Sequence, residues 1–251
     1  MMRLTDKVAL ITGAAQGLGA AMAARFAQEG ATVFLCDVNV EVGELSAAKI
    51  RAIGGRARFQ KLDVVSEADW VAAFAAVSES CGRLDVLVNN AGINIREPIE
   101  EMAAENFDKM LAVNVKGPFL GIKHAIPLMR KGGGGSIINM SSVCGLVGHK
   151  FTPEAYTITK GAVTLMTKTV GVRYAKDNIR CNSIHPSTVD TPLVQILFKD
   201  PKRKEERLGE VPLGRLATDL DVANAALYLA SDEAAFLNGV SLPVDGGVTA
   251  Y

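Results

Sequence analysis

The chain has 251 residues, 49% of them hydrophobic, which is enough to bury a sizeable core and excludes a disordered polypeptide. Lys plus Arg and Asp plus Glu each total 27, so no charge excess points to nucleic acid or an anionic membrane surface, and a small molecule is the expected partner. No run approaches the ~20 apolar residues of a membrane span, and the short apolar stretch from Val8 to Thr12 does not reach the length of a secretion signal.

The first expected strand, VALIT (8–12), runs into TGAAQGLG (12–19) and a helix over 18–29. Gly13, Gly17 and Gly19 therefore fall where a tight turn feeds a helix N-terminus. There the backbone can approach a pyrophosphate, and the helix N–H groups favour its charge. The spacing is G-x3-G-x-G rather than G-x-G-x-x-G, so the glycines alone also fit a plain tight turn. The second strand, TVFLC (32–36), ends at Asp37, where a carboxylate can bind the ribose hydroxyls of a dinucleotide and repel a 2'-phosphate. No Arg or Lys occurs among residues 13–19 or 36–40, which favours NAD over NADP.

A helix over 41–53, a strand over 57–62, a helix over 67–80 and a strand over 85–89 follow. Asp63 and the NNAG run (89–92) close the third and fourth strands, on the edge where open parallel sheets bind ligands. Alternatively, Asp63 caps the helix near residue 67 and NNAG is a turn. A long helix over 103–130, a Gly-rich loop KGGGGS (131–136) and a strand over 136–140 lead to Ser141-Ser142. A helix over 154–176 and a strand over 179–184 come next. Residues 191–214, with Pro192, Pro201 and Pro212 around KDPKRKEER, read as a solvated helix or as a lid over a substrate site. A helix over 219–230 and a strand over 241–244 complete the chain. Alternating strands and helices predict an α/β fold with a parallel sheet of seven strands, in one domain over 1–251. Cys36, Cys81, Cys144 and Cys181 are scattered without metal-ligand spacing, so no metal site is expected and a reducing cytoplasm is the simplest home.

Tyr156 and Lys160 lie at i, i+4 and share one helix face. A free phenol titrates near pH ~10, and a nearby cation stabilises its phenolate. Reaching about 7 requires roughly 4 kcal/mol, within the reach of a lysine together with an oxidised nicotinamide in a dry site. In isolation the same pair is more often structural.

TGAAQGLG, Asp63-Val64, NNAG, Asn114, Ser142, Tyr156-x3-Lys160, PSTVDTP and VDGG, in this order over the whole chain, resemble the short-chain dehydrogenase/reductase family. The resemblance implies a doubly wound Rossmann-type sheet of order 3-2-1-4-5-6-7, often in a homotetramer, that moves hydride between NAD(P) and an alcohol or carbonyl. It implies Tyr156 as general acid/base and Ser142 as the hydrogen-bond partner of the reacting oxygen. Lys160 would tune Tyr156 and bind the nicotinamide ribose, with Asn114 holding a water in a proton path behind it. On the cofactor it implies Gly13, Gln16, Leu18 and Gly19 at the pyrophosphate, Asp37 at the adenosine ribose, and Asp63 with Val64 at the adenine. Asn90 and Gly92 would flank the adenosine half, and Val189 with Thr191 the carboxamide.

Two departures from the family pattern bear on the substrate. Ser142 and Tyr156 are one residue further apart than is commonest, which re-routes HKFTPE (149–154), and Pro186-Ser187 stands where Pro-Gly is usual. His149 and Phe151 could shape the pocket, while Cys144 reads as a packed thiol. Leu193, Ile196, Leu197 and Phe198 in the expected lid suggest a hydrophobic substrate, in line with bacterial members that oxidise cyclic or aromatic secondary alcohols. Alternatives are a 3-oxoacyl carrier-protein reductase, a dihydrodiol or sugar dehydrogenase and, in a different class, a dinucleotide-sensing module without catalysis.

Overall fold

The computed structural model describes residues 2–190, 194–195 and 198–251. Thr191, Leu193, Ile196 and Leu197 thus lie outside the described residues. Seven strands form one parallel sheet: β1 (Val8–Thr12), β2 (Thr32–Asp37), β3 (Arg56–Lys61), β4 (Val86–Asn89), β5 (Gly135–Met140), β6 (Ile179–Pro186) and β7 (Ser241–Val244). Their order is β3-β2-β1-β4-β5-β6-β7, as expected. Every ladder is parallel; Ala9 of β1 faces Val33 of β2 on one side and Val86 of β4 on the other. The chain reverses its direction of travel across the sheet between β1 and β4, and the crevice at such a switch point is where doubly wound sheets take ligands.

The helices are α1 (Gly17–Gln28), α2 (Val40–Ala52), α3 (Glu67–Cys81), α4 (Ala104–Leu111), α5 (Gly117–Lys131), α6 (Glu154–Tyr174), α7 (Pro201–Gly209) and α8 (Asp219–Ala230). Because side chains alternate along a strand, β1 sends Ala9 and Ile11 into one core and Val8 and Leu10 into the other. The first core packs against Met22 and Phe26 of α1, Ile50 of α2 and Leu227 of α8. The second packs against Trp70 of α3, Leu120 and Met129 of α5, and the partly buried Met166 of α6. Burial on both faces explains why β1, β2 and β4 read as continuous apolar runs.

Helix ends follow local chemistry. Asn39 caps α2 and Ser66 caps α3 by accepting from Val42 N and Asp69 N, and Thr218 with Asp221 forms a capping box at α8. The single helix expected over 103–130 is divided instead by a π turn, Ala112–Lys116. The physical reason sits at Asn114, which is 1% exposed. Its side chain accepts from Ile93 N at 2.8 Å and donates to Ile93 O at 2.8 Å and Thr159 Oγ1 at 3.1 Å. An extra backbone residue in the turn aims this amide at two neighbouring segments. KDPKRKEER forms α7, capped by Asp200. Among the described residues no helix is long and apolar enough to cross a membrane.

Candidate active site

The glycine turn is set by close backbone approach. Gly13 has φ +63°, and a Cβ there would lie 2.8 Å from Ala91 Cα; at Gly19 it would lie 2.2 Å from Gly13 O. Asn90 ties the loops after β1 and β4 together, its Nδ2 donating to Thr12 O at 2.9 Å and Gly13 O at 3.1 Å. Asp37 braces the same turn, since its carboxylate accepts from Ala15 N and Asn39 N, each at 3.0 Å. Gln16 is the residue before α1, and Leu18 packs at the rim of the first core.

Gly13, Asp37, Asp63, Val64 and Gly92 line one cavity of about 440 Å³, with Lys109 among its other walls. Asp63 does not cap α3, a place taken by Ser66; its carboxylate accepts from Val65 N at 3.1 Å. Val64 is fixed from behind by Trp70 Nε1, which donates to Val64 O at 3.0 Å. A carboxylate on the rim, a turn closed to any Cβ and a helix N-terminus facing the crevice fit a dinucleotide.

The second group of residues stands beyond β5. Ser142 follows β5 and accepts from Cys144 N at 3.3 Å, opening a short 3-10 turn. Tyr156 reaches the same cavity from the first turn of α6. Lys160, one turn further, is 5% exposed; its Nζ donates to Met140 O at 2.7 Å and lies 5.4 Å from the Tyr156 ring centroid. Gly92 keeps this corner open, because a Cβ there would sit 3.3 Å from Asn114 Oδ1 and 3.6 Å from Lys160 Nζ. The cofactor-side loop, Asn114 and Lys160 therefore meet at one point.

Charge at this corner is governed first by burial. Burial pushes the Tyr156 phenol above its ordinary value and the Cys144 thiol adds to the rise, while the Arg96 charge and the nearby Ser142 hydroxyl pull it down. Burial pushes Lys160 down to about 8. In the protein chain alone burial thus keeps the phenol protonated, and its ionisation depends on what else occupies the site.

Ser142 and Tyr156 line a cavity of about 150 Å³ together with Arg96, His149, Val189 and Arg207. His149 lines this cavity, while Phe151 lines the adjoining one. His149 Nδ1 pairs with Thr152 Oγ1 at 3.1 Å, and its Nε2 lies 3.4 Å from Glu210. Phe151 is edge-on to His149. Cys144 is buried and donates to Thr152 Oγ1 at 3.2 Å, consistent with a packed thiol. The Ser187 hydroxyl is buried without a hydrogen-bond partner among the described residues. Thr191, expected beside Val189, cannot be placed in this geometry because it lies outside the described residues.

Sequence reading missed several participants. His185 is fully buried between Ser183 Oγ and Ser142 O, each at 2.8 Å, and so fixes the backbone that presents Ser142. The polar alternation Ser183, His185 on a strand ending at the site was the available signal. Arg96, Arg207 and Glu210 carried no motif at all.

A family profile described as Enoyl-(Acyl carrier protein) reductase matches residues 13–249. Cyclopentanol dehydrogenase of Comamonas sp. (strain NCIMB 9872) is 44% identical over 250 residues, covering 100% of both chains. The chain belongs to the short-chain dehydrogenase/reductase family. A second relative, 2,5-dichloro-2,5-cyclohexadiene-1,4-diol dehydrogenase of Sphingobium indicum, is 45% identical over 245 residues, covering 98% of this chain and 97% of its own. A crystal structure from Sinorhizobium meliloti 1021 matches with TM-score 0.94 at 31% identity, covering 99% of this chain and 98% of its own. As a short-chain dehydrogenase/reductase the chain is an oxidoreductase of the alcohol dehydrogenase type, working on a small molecule with a nicotinamide dinucleotide.

Proposed function

We propose that this enzyme interconverts a cyclic secondary alcohol and its ketone with NAD, in a single catalytic domain. The observation that carries the reading is the meeting of Ser142 and Tyr156 on the wall of one cavity, backed by the buried Lys160 ammonium. The cyclic substrate is supported by relatives named for cyclopentanol and for a cyclohexadiene diol.

NAD held in this crevice would supply the hydride acceptor for the alcohol's carbinol carbon. Tyr156, as phenolate, takes the hydroxyl proton in oxidation and returns it to the carbonyl oxygen in reduction. Ser142 holds that oxygen by hydrogen bonding. Lys160 stabilises the phenolate and binds the nicotinamide ribose hydroxyls, and Asn114 steadies a proton path behind it. Gly13, Gln16, Leu18 and Gly19 receive the pyrophosphate, Asp37 the adenosine ribose, Asp63 and Val64 the adenine, Asn90 and Gly92 the adenosine half, and Val189 with Thr191 the carboxamide. NAD rather than NADP is supported by the Asp37 carboxylate at the cavity rim.

Homotetramer formation is supported by exposed apolar side chains on α5 and α6: Phe119, Ile158, Leu165 and Val172. The four free cysteines fit a cytoplasmic home. The test is the growth of reduced-nicotinamide absorbance with NAD and with NADP against cyclic alcohols, aryl alcohols, hydroxysteroids and sugars. Tyr156→Phe is expected to cut turnover by at least about 10²-fold while NADH still binds. Retained turnover removes Tyr156 from the proton-transfer role, and a strong preference for NADP overturns the assignment of Asp37.

A further inference from the structure

Two guanidinium groups line the cavity that holds Ser142 and Tyr156, and the hydride-transfer reading uses neither. Arg96, on the loop after β4, is exposed and makes no hydrogen bond or ion pair among the described residues. Its charge nevertheless reaches the Tyr156 phenol. Arg207 of α7 is held in place: Nη1 lies 3.4 Å from Glu210, Nη2 donates to Phe151 O at 3.2 Å, and the guanidinium stacks 4.7 Å from the Phe151 ring centroid.

The charges lining the inner cavity do not balance. Glu210 is the inner cavity's carboxylate among the described residues, and both Arg207 and His149 already engage it. Burial pushes His149 down, so it adds no charge at neutral pH. Arg96 and Arg207 also line an adjoining outer cavity of about 270 Å³ with Phe151 and Phe198, where the exposed Glu206 sits. The inner cavity, about 150 Å³, is of the size that accepts one six-membered ring, since an apolar cavity of ~150 Å³ holds benzene. A ring seated against Ser142 and Tyr156 would therefore direct any substituent toward the arginines where the two cavities share a wall.

We propose that the substrate alcohol carries a carboxylate on the ring side remote from the carbinol carbon, that Arg96 binds it, and that Arg207 positions the wall around it. A planar guanidinium with its donors free matches a carboxylate in shape and charge. The inference rests on the proposed cyclic-alcohol reaction and narrows it to hydroxy acids.

The test compares hydroxycyclohexanecarboxylates and hydroxycyclopentanecarboxylates with the corresponding uncharged alcohols, using the NAD-loaded enzyme, its Arg96→Gln and Arg96→Lys variants. The expected result is a kcat/KM for the best hydroxy acid at least tenfold above its neutral counterpart. Arg96→Gln should raise KM for the hydroxy acid about 10- to 100-fold, as loss of one charge-assisted hydrogen bond predicts, at least tenfold more than for the neutral alcohol; Arg96→Lys should recover part of it. Calorimetry with unreactive cyclohexanecarboxylate on the NADH complex gives a readout independent of turnover, and binding there should weaken in Arg96→Gln. Good turnover of neutral alcohols with no gain from the carboxylate, or equal losses on both in Arg96→Gln, overturns this inference and leaves the proposed reaction standing. No turnover of either class overturns the reaction itself.

Discussion

The two halves of the site are built in different ways. The dinucleotide edge is held by backbone: Gly13 against Ala91, Gly19 against Gly13 O, and Asn90 and Asp37 bonded to main-chain groups of the same turn. The substrate mouth is held by side chains that meet from distant segments, His149 and Phe151 of one loop with Arg207 and Glu210 of α7 and its flank. Backbone contacts leave no freedom to exchange a residue without moving a loop. Side-chain contacts can be exchanged one at a time, which is how one scaffold is adapted to different alcohols.

The contrast is broken most directly at Gly19. A Cβ 2.2 Å from Gly13 O cannot be accommodated by a rotamer change, because the obstacle is backbone. Gly19→Ala should push the turn out of place and weaken NADH binding by more than about 100-fold, equivalent to ~3 kcal/mol, as read by quenching of protein fluorescence. Binding within a factor of a few of the unmodified enzyme would show that the turn does not carry the pyrophosphate. Thermal unfolding followed by circular dichroism separates a moved loop from a lost fold.

The same contrast explains what was legible in the sequence. The strands, the glycine turn, Asp37, NNAG and the Tyr156, Lys160 pair are local patterns, in which spacing along the chain dictates position on a strand end or helix face, whereas strand order was implied only by the family resemblance. The division of the 103–130 helix was not legible, since the π turn exists for the sake of Asn114 bonds to Ile93 and Thr159, 21 and 45 residues away. Arg96 was invisible for a related reason: its significance lies in having no partner among the described residues, and partners are only defined once α6 and α7 are in place. The role of His185 was not legible, because its bond to Ser142 O joins the ends of two adjacent strands.

A middle-sized effect is expected where the two halves meet, at Lys160. At the 5.4 Å between Nζ and the Tyr156 ring centroid, two unit charges in an effective dielectric constant of ~20 interact by about 3 kcal/mol, or about two pH units. Oxidation needs the phenolate, so its rate rises with pH as Tyr156 loses its proton, and the ammonium favours that loss. Lys160 itself, pushed down to about 8, keeps its charge below that pH and loses it above. Lys160→Met removes the charge throughout, so the rising limb of kcat/KM against pH should move upward by one to two units, with the largest relative loss below pH 8. A profile unchanged in position but lower in height would assign Lys160 to ribose binding alone.

The smallest effect is expected at Phe151, and it tests whether the mouth is as separable as its construction implies. The ring lies 4.6 Å from Lys150 Nζ and 4.7 Å from Arg207, contacts that are worth about 0.5–1 kcal/mol each at exposed positions. Phe151→Ala should loosen the grip of the 149–153 loop on α7 and raise KM for the alcohol roughly three- to tenfold. NADH affinity should stay constant, because no residue of the 440 Å³ cavity touches this ring among the contacts that hold it. If NADH binding weakened in step with KM, loop 149–153 and the glycine turn would have to share strain through α6, and the division between a rigid cofactor edge and an exchangeable mouth would fail.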